Sequence, residues 1–183
     1  MKIKLGIVAG LILGTLSNGP LFSAPSSENK ASALMHQIEG VYKYHFKNGL
    51  VDGSKYDSEN ILEVVPVTND ILYFKTSLQF FNGHSCGLYG LATYQKDGSF
   101  LYNTETEDSS LEGCQLKIIP TADTISFQDG ANGGKTCRNY YCGARGDFDG
   151  VAFKMIQRHP IGYMKILKDS QDYKDSVKDL KKD

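Results

Sequence analysis

The chain has 183 residues, 20 basic and 21 acidic side chains, a net charge of −1 and 40% hydrophobic content. So even a balance offers no electrostatic footprint for nucleic acid or for an anionic membrane surface. All four cysteines lie between residues 86 and 142, and an even count of this kind points to paired thiols in an oxidising compartment.

At the amino terminus, Lys2 and Lys4 precede a run from Leu5 to Leu16 that is apolar apart from glycines and Thr15. A bilayer-spanning helix needs about 20 apolar residues, so the shorter run reads as a secretory signal over residues 1–24. Phe22-Ser23-Ala24 and Ala31-Ser32-Ala33 are its two candidate cleavage points, and no Cys follows the apolar run to take a lipid anchor. The exported part carries 18 basic residues against 21 acidic ones, near −3. Residues 25–39, rich in Ser, Asn, Lys and Glu, read as a linker.

From Gly40 onward about 140 residues remain, one domain by size, able to bury about two-thirds of the surface it exposes when unfolded. Tyr42, Tyr44 and Phe46 alternate with Lys43 and His45, the period-two pattern of a half-buried strand. Ile61–Val67 is a second, β-branched run whose Pro66 suggests a sheet edge or a bulge. Leu72, Phe74, Thr76, Leu78 and Phe80 share one face of a third strand.

Register follows from matching apolar faces, because a one-residue slip turns every side chain over. A three-residue loop, Asn82–His84, pairs Phe80 with Cys86, Leu78 with Leu88, Phe74 with Ala92 and Leu72 with Tyr94. Lys96-Asp97-Gly98 then suits a type I turn followed by Gly in the left-handed position, which pairs Tyr94 with Phe100. Cys114, Leu116 and Ile118 form another strand, Ile125 and Phe127 a short one before the Asp129–Gly134 loop, and Val151, Phe153 and Met155 the last. The domain over 40–158 is therefore expected to be mainly β, an antiparallel meander barrel or sandwich. In 159–183, Ile166, Ser170, Tyr173, Val177 and Leu180 recur every three or four residues, the spacing of a short C-terminal helix.

Cys86, Cys114, Cys137 and Cys142 allow three disulfide connectivities. No C-x-x-C pair suggests zinc. Because Cys86 and Cys114 both fall on inward faces, bridges 86–114 and 137–142 are expected. No nucleophile elbow, H-E-x-x-H, P-loop or dinucleotide fingerprint occurs. Asp147-Phe-Asp149-Gly150 lacks the downstream ligands of a calcium loop, and His84 beside a disulfide-bonded Cys86 has no thiolate to activate. No cofactor, metal or catalytic residue is therefore expected.

The segment Cys137-Arg-Asn-Tyr-Tyr-Cys142-Gly-Ala-Arg-Gly146 is the most distinctive. Arg138, Tyr140 and Tyr141 are residue types enriched in binding hot spots, and a restrained loop lowers the entropy cost of association. Arg145 with Gly143 and Gly146 suits a tight turn.

The Gly40-Val-Tyr42 opening, the Phe80–Cys86 hairpin and the Cys142-Gly-Ala-Arg-Gly146 close resemble a group of small exported bacterial proteins of unassigned function, over about residues 38–158. In outline these are similar to lipocalin-like barrels and to the small barrel inhibitors with which bacteria block host lysozyme. Those inhibitors use a Ser-Gly-x-x-Tyr loop, whereas Ser85-Cys-Gly-Leu-Tyr89 is spaced differently here, so the resemblance to them is one of architecture. With the signal segment, the paired cysteines and the missing catalytic motifs, a periplasmic or secreted, monomeric binding protein without enzymatic activity is expected. Its partner is expected to be a protein, with inhibition of a lysozyme-type hydrolase one form of that role; the alternatives are that the chain carries a small apolar ligand in a hollow barrel or is itself an enzyme of unknown class. Arg138, Tyr140, Tyr141 and Arg145 are the candidate contact residues.

Overall fold

The computed structural model describes residues 27–104, 113–130, 134, 136–178 and 180; the expected signal segment 1–24 lies outside them. The chain forms a helix α1 (Ser27–Ile38), strands β1 (Gly40–Gly49), β2 (Lys55–Pro66), β3 (Ile71–Gln79), β4 (Ser85–Tyr94), β5 (Phe100–Asn103), β6 (Gln115–Pro120) and β7 (Thr124–Asp129), then a helix α2 (Thr136–Tyr141). Strands β8 (Ala152–Lys154) and β9 (Arg158–His159) and helices α3 (Met164–Asp169) and α4 (Gln171–Val177) follow. Each strand pairs antiparallel with the next from β1 to β8. A 3₁₀ turn at Met155–Gln157 carries the last strand segment from β7 across to β1, where β9 pairs at Val41 and Tyr42. The meander is thereby bent into a nearly closed barrel.

Alternation along the strands fills the interior. Tyr42, Leu62, Val64, Leu72, Phe74, Leu78, Leu88, Phe100, Leu116, Ile118, Ile125 and Phe153 are all buried on the inner face. Tyr42 and Phe127 each meet the Phe153 ring edge-on, and Phe127 also meets Phe148. The barrel is thus packed with side chains rather than hollow. Gly90 permits one of these contacts: it lies opposite Phe74, has φ +158, and a Cβ there would sit 2.3 Å from the Tyr102 ring that stacks edge-on against Phe74.

Residues 27–38, read above as linker, are instead a helix that stoppers one end of the barrel. Ala31, Leu34, Met35 and Ile38 follow the i, i+3, i+4, i+7 spacing of an apolar helical face; Ala31, Met35 and Ile38 are fully buried, and Leu34 packs against the same core. Its last carbonyls find partners: Tyr42 donates its hydroxyl proton to the Ile38 carbonyl at 2.8 Å, and the Arg158 guanidinium donates to those of Gln37 and Glu39. These contacts satisfy acceptors that a helix C-terminus leaves orphaned.

The β3–β4 register differs from the expectation by two residues. Leu78 lies opposite Cys86, Thr76 opposite Leu88, Phe74 opposite Gly90 and Leu72 opposite Ala92. The loop is five residues long, Phe80–His84, because Asn82 and Gly83 both take positive φ in a 3₁₀ turn and the Phe80 amide donates to the His84 carbonyl. A slip of two preserves the alternation, so the buried faces still agree. The β4–β5 turn is as expected, with Tyr94 opposite Phe100 and Gly98 at φ +86. Pro66 forms no bulge and stands at a local edge on the β1 side of β2. It ends β2 beyond the first residue of β1, Gly40, which faces Val64, so its missing N–H leaves no gap in the ladder.

The C-terminal segment breaks into two helices at Ser170, whose hydroxyl caps α4 by accepting from the Tyr173 amide. They cover the outer face of β1–β4 through a second core of Val41, Val65, Tyr73, Ile161 and Leu167, with Met164 and Tyr173 beside it. Ile166, expected on the packed face, points to solvent. Lys75 pairs with Asp172 at 2.7 Å, and the Tyr163 hydroxyl donates to Glu63.

Burial pushes the Tyr42 hydroxyl up from its ordinary 10.0 to about 12, partly offset by Arg158, and burial likewise raises Tyr73 and Tyr102. Between those pH limits the unfolded chain gives up the proton of Tyr42 and the folded chain keeps it, so stability falls as pH rises through the window. Denaturant midpoints measured across it should decline steadily, with tyrosinate absorbance from the buried rings emerging only as the barrel unfolds. Smooth titration of every tyrosine near its ordinary value in the folded state would contradict the packing described.

Candidate functional site

Meander topology places the β1–β2, β3–β4, β5–β6 and β7–β8 connections at one end of the barrel, opposite α1. The β7–β8 connection is the long one, and two disulfides fold it across the mouth. Cys86 of β4 is bonded to Cys142, and Cys114, just before β6, to Cys137 in the first turn of α2. This corrects the expected 86–114 and 137–142 pairing. β5 lies between β4 and β6, and strands two apart in a sheet are separated by about 9.5 Å, beyond the Cα spacing of about 4.4–6.8 Å that a disulfide spans. Facing inward is therefore insufficient for Cys86 and Cys114 to meet. The helix α2 brings a thiol to each instead.

Buried Asp129, at the end of β7, fixes the start of α2. One carboxylate oxygen accepts from the Cys137 amide and the other from the Arg138 amide, each at 2.7 Å. Burial raises the affinity of Asp129 for its proton, with Asp149 and Asp147 adding to it, while the two amides act the opposite way. The Asp147–Gly150 stretch is a turn in which the Asp149 amide donates to Asp147 and the Asp149 carboxylate accepts from the Asp129 amide at 2.8 Å.

The four candidate contact residues divide into two roles by geometry. Arg138 braces its own loop, its Nε donating to the Gly146 carbonyl at 2.9 Å and a terminal nitrogen to that of Ala144 at 3.2 Å. Tyr141 is half-buried against the barrel core and hydrogen-bonded to Tyr102. Tyr140 is 53% exposed, its ring edge-on to that of Tyr141. Arg145 is exposed and lies with its guanidinium 5.3 Å from the centre of the Phe81 ring, a cation–π contact. The 142–146 turn is held against β4 by the Gly143 amide, which donates to the Ser85 carbonyl at 2.8 Å. Gly146 is required there by close approach, since a Cβ would stand 2.6 Å from the Cys86 sulfur.

Phe81 is the contributor that strand patterning does not reveal. It tops the β3–β4 loop, is 43% exposed, and borders a groove of about 330 Å³ with Lys47, Asn48, Gly49, Leu50 and Ser54. Val51, in the adjacent β1–β2 turn, is 71% exposed. The Asn48 amide ties the two loops by donating to Ser58 and to the Phe80 carbonyl. One barrel end thus presents an aromatic and aliphatic surface with a cation over it, on loops that are covalently or polar-bonded to the scaffold.

Comparison of the chain with family models, curated proteins and solved structures found no match. Among the described residues, no helix is long and apolar enough to cross a membrane.

Replacing Asp129 by Asn keeps one acceptor and turns an amide group toward the second N–H. The variant should lose about 1–3 kcal/mol of stability in denaturant unfolding, even though it removes a buried charge. An unchanged or higher midpoint would show that the two hydrogen bonds do not hold α2.

Proposed function

We propose that the chain is an exported, non-enzymatic binding protein that recognises a protein partner through its loop end, a lysozyme-type hydrolase being the candidate class. The observation that carries this reading is the combination of a filled barrel with Tyr140 and Arg145 exposed on a segment that two disulfides restrain and Phe81 exposed on the loop beside it. A barrel packed with aromatic side chains leaves its interior no room for the small apolar ligand of a carrier, whereas rigid aromatic and Arg side chains at an exposed end suit a protein surface. Pre-ordering of the loop by Arg138, Asp129 and the disulfides lowers the entropy lost on association. The likeness of the 142–146 turn and the hairpin before it to small exported bacterial proteins favours the same class by architecture.

Disulfides form in oxidising compartments, which supports a periplasmic or secreted location after removal of residues 1–24. The α1 helix favours cleavage near Ala24 over cleavage after Ala33, since the latter would remove buried Ala31 from the stopper.

Changing Phe81, Tyr140 and Arg145 together to Ala should abolish capture of the partner by the mature protein, and any inhibition of a lysozyme-type hydrolase, while shifting stability by no more than about 0.5 kcal/mol per site. Changing Arg138 alone should weaken capture indirectly, with a measurable loss of thermal midpoint. Undiminished capture by the triple variant would remove the loop end from the reading.

A further inference from the structure

β1 has a free edge. Its register with β2 and the hydrogen bond from the Leu50 amide to the Ser54 carbonyl place the even-numbered residues of β1 in the β1–β2 ladder. The N–H and C=O groups of Lys43, His45 and Lys47 therefore face the other side. On that side β9 pairs only with Val41 and Tyr42, and among the described residues nothing accepts from or donates to those backbone groups. The Gly49 amide, which also faces this edge, is met by its neighbour's Asn48 side chain at 2.9 Å. β8 approaches this side of β1 without pairing to it, since its ladder is with β7 and the Met155 amide after it donates to the Asp123 carbonyl.

Tyr44 and Phe46 confirm the opening. They share the face of β1 that buries Tyr42 and Asn48, yet Tyr44 is 47% exposed, and the two rings stack 5.5 Å apart, 14° from parallel, along the slit. On the opposite face, Lys43, His45 and Lys47 are exposed, and their carboxylate partners Glu59 and Asp57 both lie on β2, away from the free edge. Two carboxylates thus serve three basic side chains from one side only.

We propose that this edge accepts an extended strand from a partner protein whose side chains alternate acidic and apolar. The added strand continues the sheet through the backbone of Lys43, His45 and Lys47, its acidic side chains meeting the basic face and its apolar ones the Tyr44–Phe46 stack; main-chain bonds give affinity and alternate side chains specificity. A second copy of this chain does not fit. In a twofold antiparallel pair odd-numbered residues of β1 face odd-numbered ones, and every register centred from Lys43 to Lys47 sets a Lys or His against another, which disfavours self-association. The edge adjoins the loop-end groove at Lys47, but it binds through backbone rather than through Phe81, Tyr140 and Arg145, and neither proposal depends on the other.

The test uses the mature protein and two capped peptides, one alternating Glu with Val and one alternating Lys with Val. The Glu peptide should bind and slow hydrogen exchange at the amides of Lys43, His45 and Lys47, and the Lys peptide should not. Lys43→Glu with Lys47→Glu should reverse the preference by about tenfold or more. His45→Pro should abolish binding while leaving the β1–β2 ladder paired, since the lost N–H points to the free side; if that variant fails to fold, the charge reversal decides. No slowing at these three amides, or equal binding of both peptides, would overturn the proposal. So would concentration-dependent dimers that vanish in His45→Pro, which would assign the edge to a second copy.

Discussion

Two disulfides attach one short helix to two strands that cannot reach each other, and the form of the functional end depends on that arrangement. Cys86–Cys142 and Cys114–Cys137 pull the segment between β7 and β8 over the barrel mouth from both sides of β5. Closing loops with sequence separations of 56 and 23 residues removes about 4 and about 3 kcal/mol, respectively, of unfolded-chain entropy in the loop-closure account. Phe148 is thereby held against Phe127 in the core, and the 142–146 turn is laid against β4 where Arg145 reaches Phe81. Covalent restraint, core filling and exposed surface are consequences of the same two bonds.

The opposite end is closed without covalent help. α1 contributes an apolar face of four residues, and the carbonyls at its C-terminus are met by Tyr42 and Arg158, both from the junction where the last strand returns to β1. That junction is also where the barrel is least complete, because the 3₁₀ turn that lets one segment pair with both β7 and β1 leaves most of β1 without a partner on one side. Closure at the helix end and the open seam beside Tyr44 are two results of one short kink.

Much of the fold is legible in residue alternation. The inner faces of β1, β3, β4 and β6 follow directly from their period-two patterns, and the Lys96–Gly98 turn from its chemistry. The β3–β4 register escapes the same logic because a slip of two preserves the apolar match, and only the left-handed pair Asn82–Gly83 determines the loop length. The α1 helix is hidden by its polar composition although Ala31, Leu34, Met35 and Ile38 carry the period of a helix. Disulfide pairing is not readable from facing direction, since strand order decides which thiols can meet. In the candidate site, the sequence locates the 137–146 segment but not the division of labour within it: that Arg138 turns back onto its own carbonyls while Arg145 turns outward depends on where the stapled turn meets β4. Phe81 carries no signal beyond its place in a loop.

The central claim is that the α2 segment bridges β4 and β6 through two nested disulfides. Peptide mapping of the mature, non-reduced protein tests it most directly, because proteolysis between the cysteines leaves each connectivity with a distinct set of linked fragments. The account predicts fragments joining Cys86 to Cys142 and Cys114 to Cys137, with no free thiol. Fragments joining Cys86 to Cys114 and Cys137 to Cys142, or free thiols at these positions, would contradict it.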